Sequence, residues 1–221
     1  ESVSNITGQV VIREAPIPVE VDAYIRGVVD EVITEEGVVI KSYGSFVQGI
    51  FGIGGESRGE IKMLSENRTS EISVDMIKPE HEGLIIVGGS FISLEAYKKA
   101  LECKVAGVVV GGFNYYDLEE ILGYTLGVAI TGSEELITSL IVTEGYGKIQ
   151  MGQQTFDLLK ENSGRLASIN GATQIRAGVI RPEIIIPTDT NSQKDSDENS
   201  KKMSGMTEGS LVRVIRSPNF G

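Results

Sequence analysis

The sequence predicts an α/β fold, a mainly parallel sheet with short helices, preceded by a small all-β domain. Three observations carry this reading. Apolar runs at residues 84–87, 105–110 and 126–130 each end in a small, glycine-containing turn, and each is followed by a polar cap and a short helical pattern. Near-continuous apolar strands alternating with helices are what parallel strands covered on both faces require. Residues 1–70 instead carry short β-branched runs around glycine turns, the signature of hairpins. Beyond residue 188 periodicity disappears: residues 189–205 are dense in Asp, Asn, Ser, Lys and Glu and read as a disordered linker.

The elements are taken in chain order. Residues 1–11 (ESVSNITGQVV) set over residues 30–40 (DEVITEEGVVI) align acid, Val, Gly, Val and a β-branched residue at a constant offset, so the chain carries an internal repeat of strand, glycine turn and strand. Over residues 1–64 this resembles the barrel-sandwich hybrid fold of lipoyl and biotinyl carrier domains, whose halves repeat a Val-x-Gly-x-Val hairpin. Members of that family modify a lysine in a Met-Lys-Met or Asp-Lys-Ala hairpin. Lys41 and Lys62 lie in Ile-Lys-Ser and Ile-Lys-Met. The resemblance therefore implies the fold without the swinging arm, and an intact-mass measurement is expected to find neither adduct on these lysines.

From residue 83 the period changes. The strand at 84–87 ends at Gly88-Gly89, and a helix comes next with Ser93 as its cap, Glu95 in its first turn and Leu94, Tyr97 and Leu101 on one face. The run at 105–110 ends at Gly111-Gly112, and the next helix is expected to start at Asp117 with Glu120 three residues on. A third run, 126–130, ends at Thr131-Gly132 before a helix opening at Ser133. A strand at 139–142, a helix at 153–161 closed by Asn162-Ser163-Gly164, and β segments through 180 and 184–187 complete this part. The expected domains are 1–70, 78–187, a linker at 188–206 and a new β segment at 207–221. Residues 208–221 (EGSLVRVIRSPNFG) resemble the opening strand and turn of a KOW-type, SH3-like barrel. That resemblance implies RNA or protein contact, with Arg213 and Arg216 as the basic contribution. The combined order of segments resembles an uncharacterised prokaryotic family of unknown function, which implies an architecture and no activity. The opening at Glu1 and the stop at Gly221, both within strand-like patterns, read as a piece cut from a longer polypeptide.

Composition narrows the function classes. With 31 acids against 20 bases the formal charge is −11, which argues against nucleic-acid binding over the whole surface and leaves only the C-terminal segment for it. No apolar run approaches membrane length and no signal-like segment opens the chain, so a cytoplasmic protein without a membrane partner is expected. One cysteine, Cys103, and one histidine, His81, exclude an internal disulfide and the usual zinc sets; no metal or cofactor is expected.

Two groups of residues are candidates for binding. Gly88, Gly89, Gly111, Gly112, Thr131 and Gly132 stand where parallel strands end, the edge at which open α/β sheets take small ligands and backbone N–H groups approach an anion. None of these loops carries a dinucleotide or Walker pattern. The second group is Asn170, Thr173, Gln174 and Arg176, whose amide, hydroxyl and guanidinium groups can bind a carboxylate, a phosphate or a backbone segment; the same alternation also describes a strand with one wet face. Residues 49–56, rich in glycine, read as a buried β turn. Glu134 and Glu135 read as helix N-terminal acids, Glu144 as a turn residue, His81 as part of a polar surface connector, and Cys103 as core. No nucleophile and base pair can be built from one histidine. The expected function is a non-enzymatic ligand- or partner-binding or regulatory protein. The alternatives are an enzyme acting on a small anionic substrate at the strand-end loops, which Glu144 or Arg176 would complete, and an RNA- or transcription-associated factor working through the C-terminal segment.

Overall fold

A computed structural model describes residues 2–3, 6–11, 20–123, 136–174 and 179–188. Two separate antiparallel hairpins come first, β1 (Ser2–Val3) with β2 (Val10–Val11) and β3 (Val28–Ile33) with β4 (Gly37–Lys41). Both halves of the sequence repeat thus become hairpins. The later strands all join one ten-stranded mixed sheet. They are β5 (Gly44–Gln48), β6 (Phe51–Ile53), β7 (Glu56–Met63), β8 (Glu71–Ile72), β9 (Ile85–Val87), β10 (Phe91–Ile92), β11 (Gly107–Phe113), β12 (Ser139–Tyr146), β13 (Leu166–Asn170) and β14 (Glu183–Pro187). Helices α1 (Leu94–Glu102), α2 (Tyr115–Leu122) and α3 (Gln153–Glu161) connect them.

The pairings of β7, β9, β11 and β12 are parallel, as are those of β10 with β8 and β11. The rest is antiparallel: β7 with β13, β13 with β14, β14 with β5, and β12 with β6. The sheet is therefore mixed where a mainly parallel one was expected. Strands β5, β6 and β7 belong to the same sheet as the strands of residues 85–187.

The two ends of this sheet meet in one segment. Gly49 donates its N–H to Pro182 O, on the side of β14 (2.8 Å), and Ile50 donates to Val142 O, on the side of β12 (2.9 Å). Successive amides of an extended chain point to opposite edges, so residues 44–53 are flanked by both ends and the sheet closes on itself. Closure covers the edges of β5 and β6, while β8, paired only with β10, remains at an edge.

Two apolar cores lie on the two faces. Ile86, Val108, Val110, Leu140 and Val142 pack with Ala96, Tyr97 and Ala100 of α1 and Leu118 of α2. Their neighbours Ile85, Val87, Val109 and Ile141 point the other way, onto Phe156 and Leu159 of α3 and onto Ala167, Ile169, Ile184 and Ile186. Side chains alternate across a strand, so the continuous apolar runs seen in the sequence supply both cores at once. Ser93 caps α1 as expected, accepting the Ala96 N–H at 3.2 Å. Helix α2 begins earlier than expected: Asn114, not Asp117, is the cap, its Oδ1 accepting the Tyr116 N–H at 3.2 Å. Asp117 lies in the first turn, and Asn114 Nδ2 donates to its carboxylate. The strand at 126–130, Thr131-Gly132, the helix at Ser133, the linker at 189–205 and the KOW-like segment all lie outside the described residues.

Candidate binding surface

The glycines at the ends of β9 and β11 do converge. Gly111 donates to Gly89 O (3.2 Å), Gly112 donates to Ser90 O (2.7 Å), and Gly88 donates to Val109 O (2.9 Å). The space beside them is filled by the protein's own backbone. A Cβ on Gly111 would collide with Ile149 O, one on Gly112 with Gly147 O, and one on Gly89 with Asn67 O. Met151 also donates to Gly89 O at 3.2 Å. Neither Gly111 nor Gly112 has a positive φ, so they are glycines because residues 147–151 run across them. The cleft that remains nearby, about 430 Å3, is lined by Thr69, Glu71, Ser90, Lys148, Ile149 and Gln150. Lys148 Nζ is already paired with Glu71 at 2.8 Å, and the Ser90 hydroxyl donates to Thr69 O.

Glu144, read from the sequence as a turn residue, is buried on β12, and its Oε1 accepts the Gly152 N–H at 2.8 Å. It sits where α3 begins, and a carboxylate there is favoured by the unpaired amides and the dipole of the helix. Three residues of the second expected cluster make bonds within the chain. Thr173 is fully buried; its Oγ1 accepts the Gly52 N–H (2.9 Å) and donates toward Gly52 O (3.2 Å), clamping β6. Asn170 Oδ1 accepts the Ala172 N–H at 2.9 Å, and Gln174 pairs with Ile180 through the backbone in both directions. Arg176 lies outside the described residues, as do Arg213 and Arg216. His81, expected at the surface, is buried; its Nδ1 accepts the Lys78 N–H at 3.2 Å, and burial holds its pKa below the ordinary histidine value. Cys103 is buried as expected. Among the described residues no group of three or more His, Cys, Asp or Glu is placed to hold a metal, and no helix is long and apolar enough to cross a membrane.

The open surface lies elsewhere, around the hairpin of β3 and β4. Directly opposed residues of an antiparallel pair share a face. Val29 opposes Ile40 and Val32 opposes Val38, and the bulge at Asp30 keeps these pairs in phase. One face of the hairpin is thus built only of β-branched side chains. Val29, Val32 and Val38 are 54%, 68% and 53% exposed. The other face is mixed, with Val28 opposite Lys41 and Glu31 opposite Val39.

At the base of the hairpin two clefts flank residues 22–27, which lie against the large sheet. The Ser168 hydroxyl donates to Tyr24 O (2.6 Å), the Ser42 hydroxyl donates to Arg26 O (2.7 Å), and Arg58 pairs with Asp22. One cleft, about 370 Å3, is lined by Arg26, Asp30, Lys41, Tyr43 and Thr188. The other, about 350 Å3, has an apolar floor of Ile25, Ile40 and Leu166 under Asp22 and Arg58. Beside them, Glu56, Asn170, Glu183 and Gln48 form one cross-strand row over β7, β13, β14 and β5. The Tyr24 hydroxyl lies by this row, its oxygen buried without a hydrogen bond of good geometry. Burial first, then the charges of Glu183 and Glu56, raise its pKa, so it remains a neutral phenol. The sequence signal for this surface was the repeat itself, which marks the hairpin but not which of its faces stays uncovered. No family model, curated protein or solved structure matches the chain.

Proposed function

We propose that the protein is a non-enzymatic partner-binding protein whose docking surface is the β-branched face of the β3–β4 hairpin and the clefts at its base. One observation carries this reading: Val29, Val32 and Val38 are each more than half exposed on a single face of the hairpin. A two-stranded hairpin is marginal in water by itself, and covering each of these valines adds about 1 kcal/mol. The polar rim supplied by Arg26, Asp30 and Lys41 gives such a face orientation. Catalysis on a small anion at the strand ends has less support, because the backbone of residues 147–151 occupies the space that the glycines leave.

The test is the size of the protein in extracts of its own cells, measured by chromatography with mass detection. The 221-residue chain, expressed with a tag in those cells, is expected in a complex larger than its own 23.8 kDa, and Val29→Asp with Val38→Asp is expected to return it to that mass with the thermal transition of the large sheet unchanged. A wild type already at its own mass, or a variant that keeps the complex, would overturn the reading.

A further inference from the structure

The same hairpin face has an occupant within reach in the chain itself. The described structure ends at Thr188, whose N–H donates to Tyr43 O at 2.8 Å, and Thr188 lines the same cleft as Val28, Asp30 and Lys41. The chain therefore leaves the large sheet at the foot of the hairpin. Residues 189–206, polar in sequence, separate Thr188 from Thr207, and a chain of that length without fixed structure would have a root-mean-square span of about 23 Å. A five-residue strand is about 17 Å long, so a segment beyond such a tether is held at the hairpin at roughly millimolar effective concentration.

The segment beyond it, residues 207–221, suits the hairpin in both charge and apolar character. Residues 26–41 carry Asp30, Glu31, Glu35 and Glu36 against Arg26 and Lys41, while residues 207–221 carry Arg213 and Arg216 against the single acid Glu208. Between and beside those arginines stand Leu211, Val212, Val214 and Ile215. The chain as a whole has a formal charge of −11, so this basic, β-branched stretch runs against the overall balance.

We propose that residues 207–221 dock in cis on the hairpin, their apolar residues covering Val29, Val32, Val38 and Ile40 and their two arginines meeting Asp30 at the bulge and Glu35 and Glu36 at the turn. This rests on the reading of the hairpin face as a docking surface and adds its regulation: a partner must displace the chain's own segment, and its apparent affinity falls by the fraction of time the face is covered.

Hydrogen exchange on the full chain tests this. In the wild type the amides of 28–41 are expected to be protected beyond an isolated hairpin, and Arg213→Glu with Arg216→Glu is expected to lower that protection about fivefold or more, through two lost and reversed charge contacts. Amides of β9, β11 and β12 keep their protection, which separates the effect from unfolding. Arg213→Lys with Arg216→Lys keeps the charge and is expected to retain most of the protection at 28–41. Equal protection in the wild type and the Glu variant overturns the proposal. A photoreactive residue in place of Val32, in protein mixed with an isotope-labelled copy, identifies the occupant. A link to residues 207–221 of the same molecule supports the proposal, and a link to the second copy overturns it. In cell extracts, a link only to another protein overturns the cis arrangement and leaves the partner-binding reading standing. The cis link with no complex in extracts does the reverse.

Discussion

Single residues show where burial departs from what the local sequence announces. His81 sits among Pro79, Glu80 and Glu82 and reads as surface, yet a 3-10 turn folds its ring inward, where Nδ1 accepts a backbone N–H. Its pKa in the folded protein is lowered, chiefly by burial. Below about pH 6.5 the unfolded chain binds a proton that the folded one refuses. Stability from this group is complete above that pH and is lost as pH falls through the lower folded value. His81→Asn, which keeps an acceptor without a titrating group, is expected to flatten this part of the stability profile in urea titrations at a series of pH values. A slope unchanged between wild type and variant would contradict the assignment. Tyr24 gives the complementary case. Its buried hydroxyl lacks a well-formed hydrogen bond, so Tyr24→Phe is expected to be neutral or to stabilise by up to about 1 kcal/mol in the same titration. A loss of about 2 kcal/mol would mean that the hydroxyl is bonded. Caps were more legible than either group: Ser93 announces α1 from four residues of sequence, because capping is local chemistry. The contacts of His81 and Glu144 are made by the fold, and no spacing rule reports them.

Among elements, the alternation of apolar runs with helices was readable because each run must feed two cores, and α1, β11 and α3 form close to where the period places them. Pairing partners were not. β6 and β12 lie far apart in the chain, and their union depends on Gly52 and Thr173, neither of which advertises a partner. Thr173→Val would remove the hydroxyl that bonds both the N–H and the carbonyl of Gly52, and a cost of about 1–3 kcal/mol in denaturant unfolding is expected. The paired glycines of β11 allow close backbone approach, as their residue type implies, and the backbone that approaches is that of residues 147–151, whose return over them no local pattern in the sequence reveals. Gly112→Ala is accordingly expected to cost about 2 kcal/mol or more, since the atom it would meet is backbone, Gly147 O. Stability within about 0.5 kcal/mol of the wild type would show that this space is free after all.

At the scale of the whole molecule, two of the described parts stand apart. One is the large sheet, closed through residues 44–53, with an apolar core on each face. The other is a hairpin that contributes little to that core and presents β-branched side chains outward. The internal repeat pointed to the second part, and its composition alone left open whether the apolar residues face a core or a partner. The most direct measurement of the central claim is the adduct formed by a photoreactive residue at position 32 in the full chain, expressed in its own cells, with and without Val29→Asp and Val38→Asp. The account predicts a discrete adduct with one partner polypeptide, lost in the doubly substituted chain while its thermal transition stays in place. An absence of any such adduct, or an adduct that survives both substitutions, would contradict it.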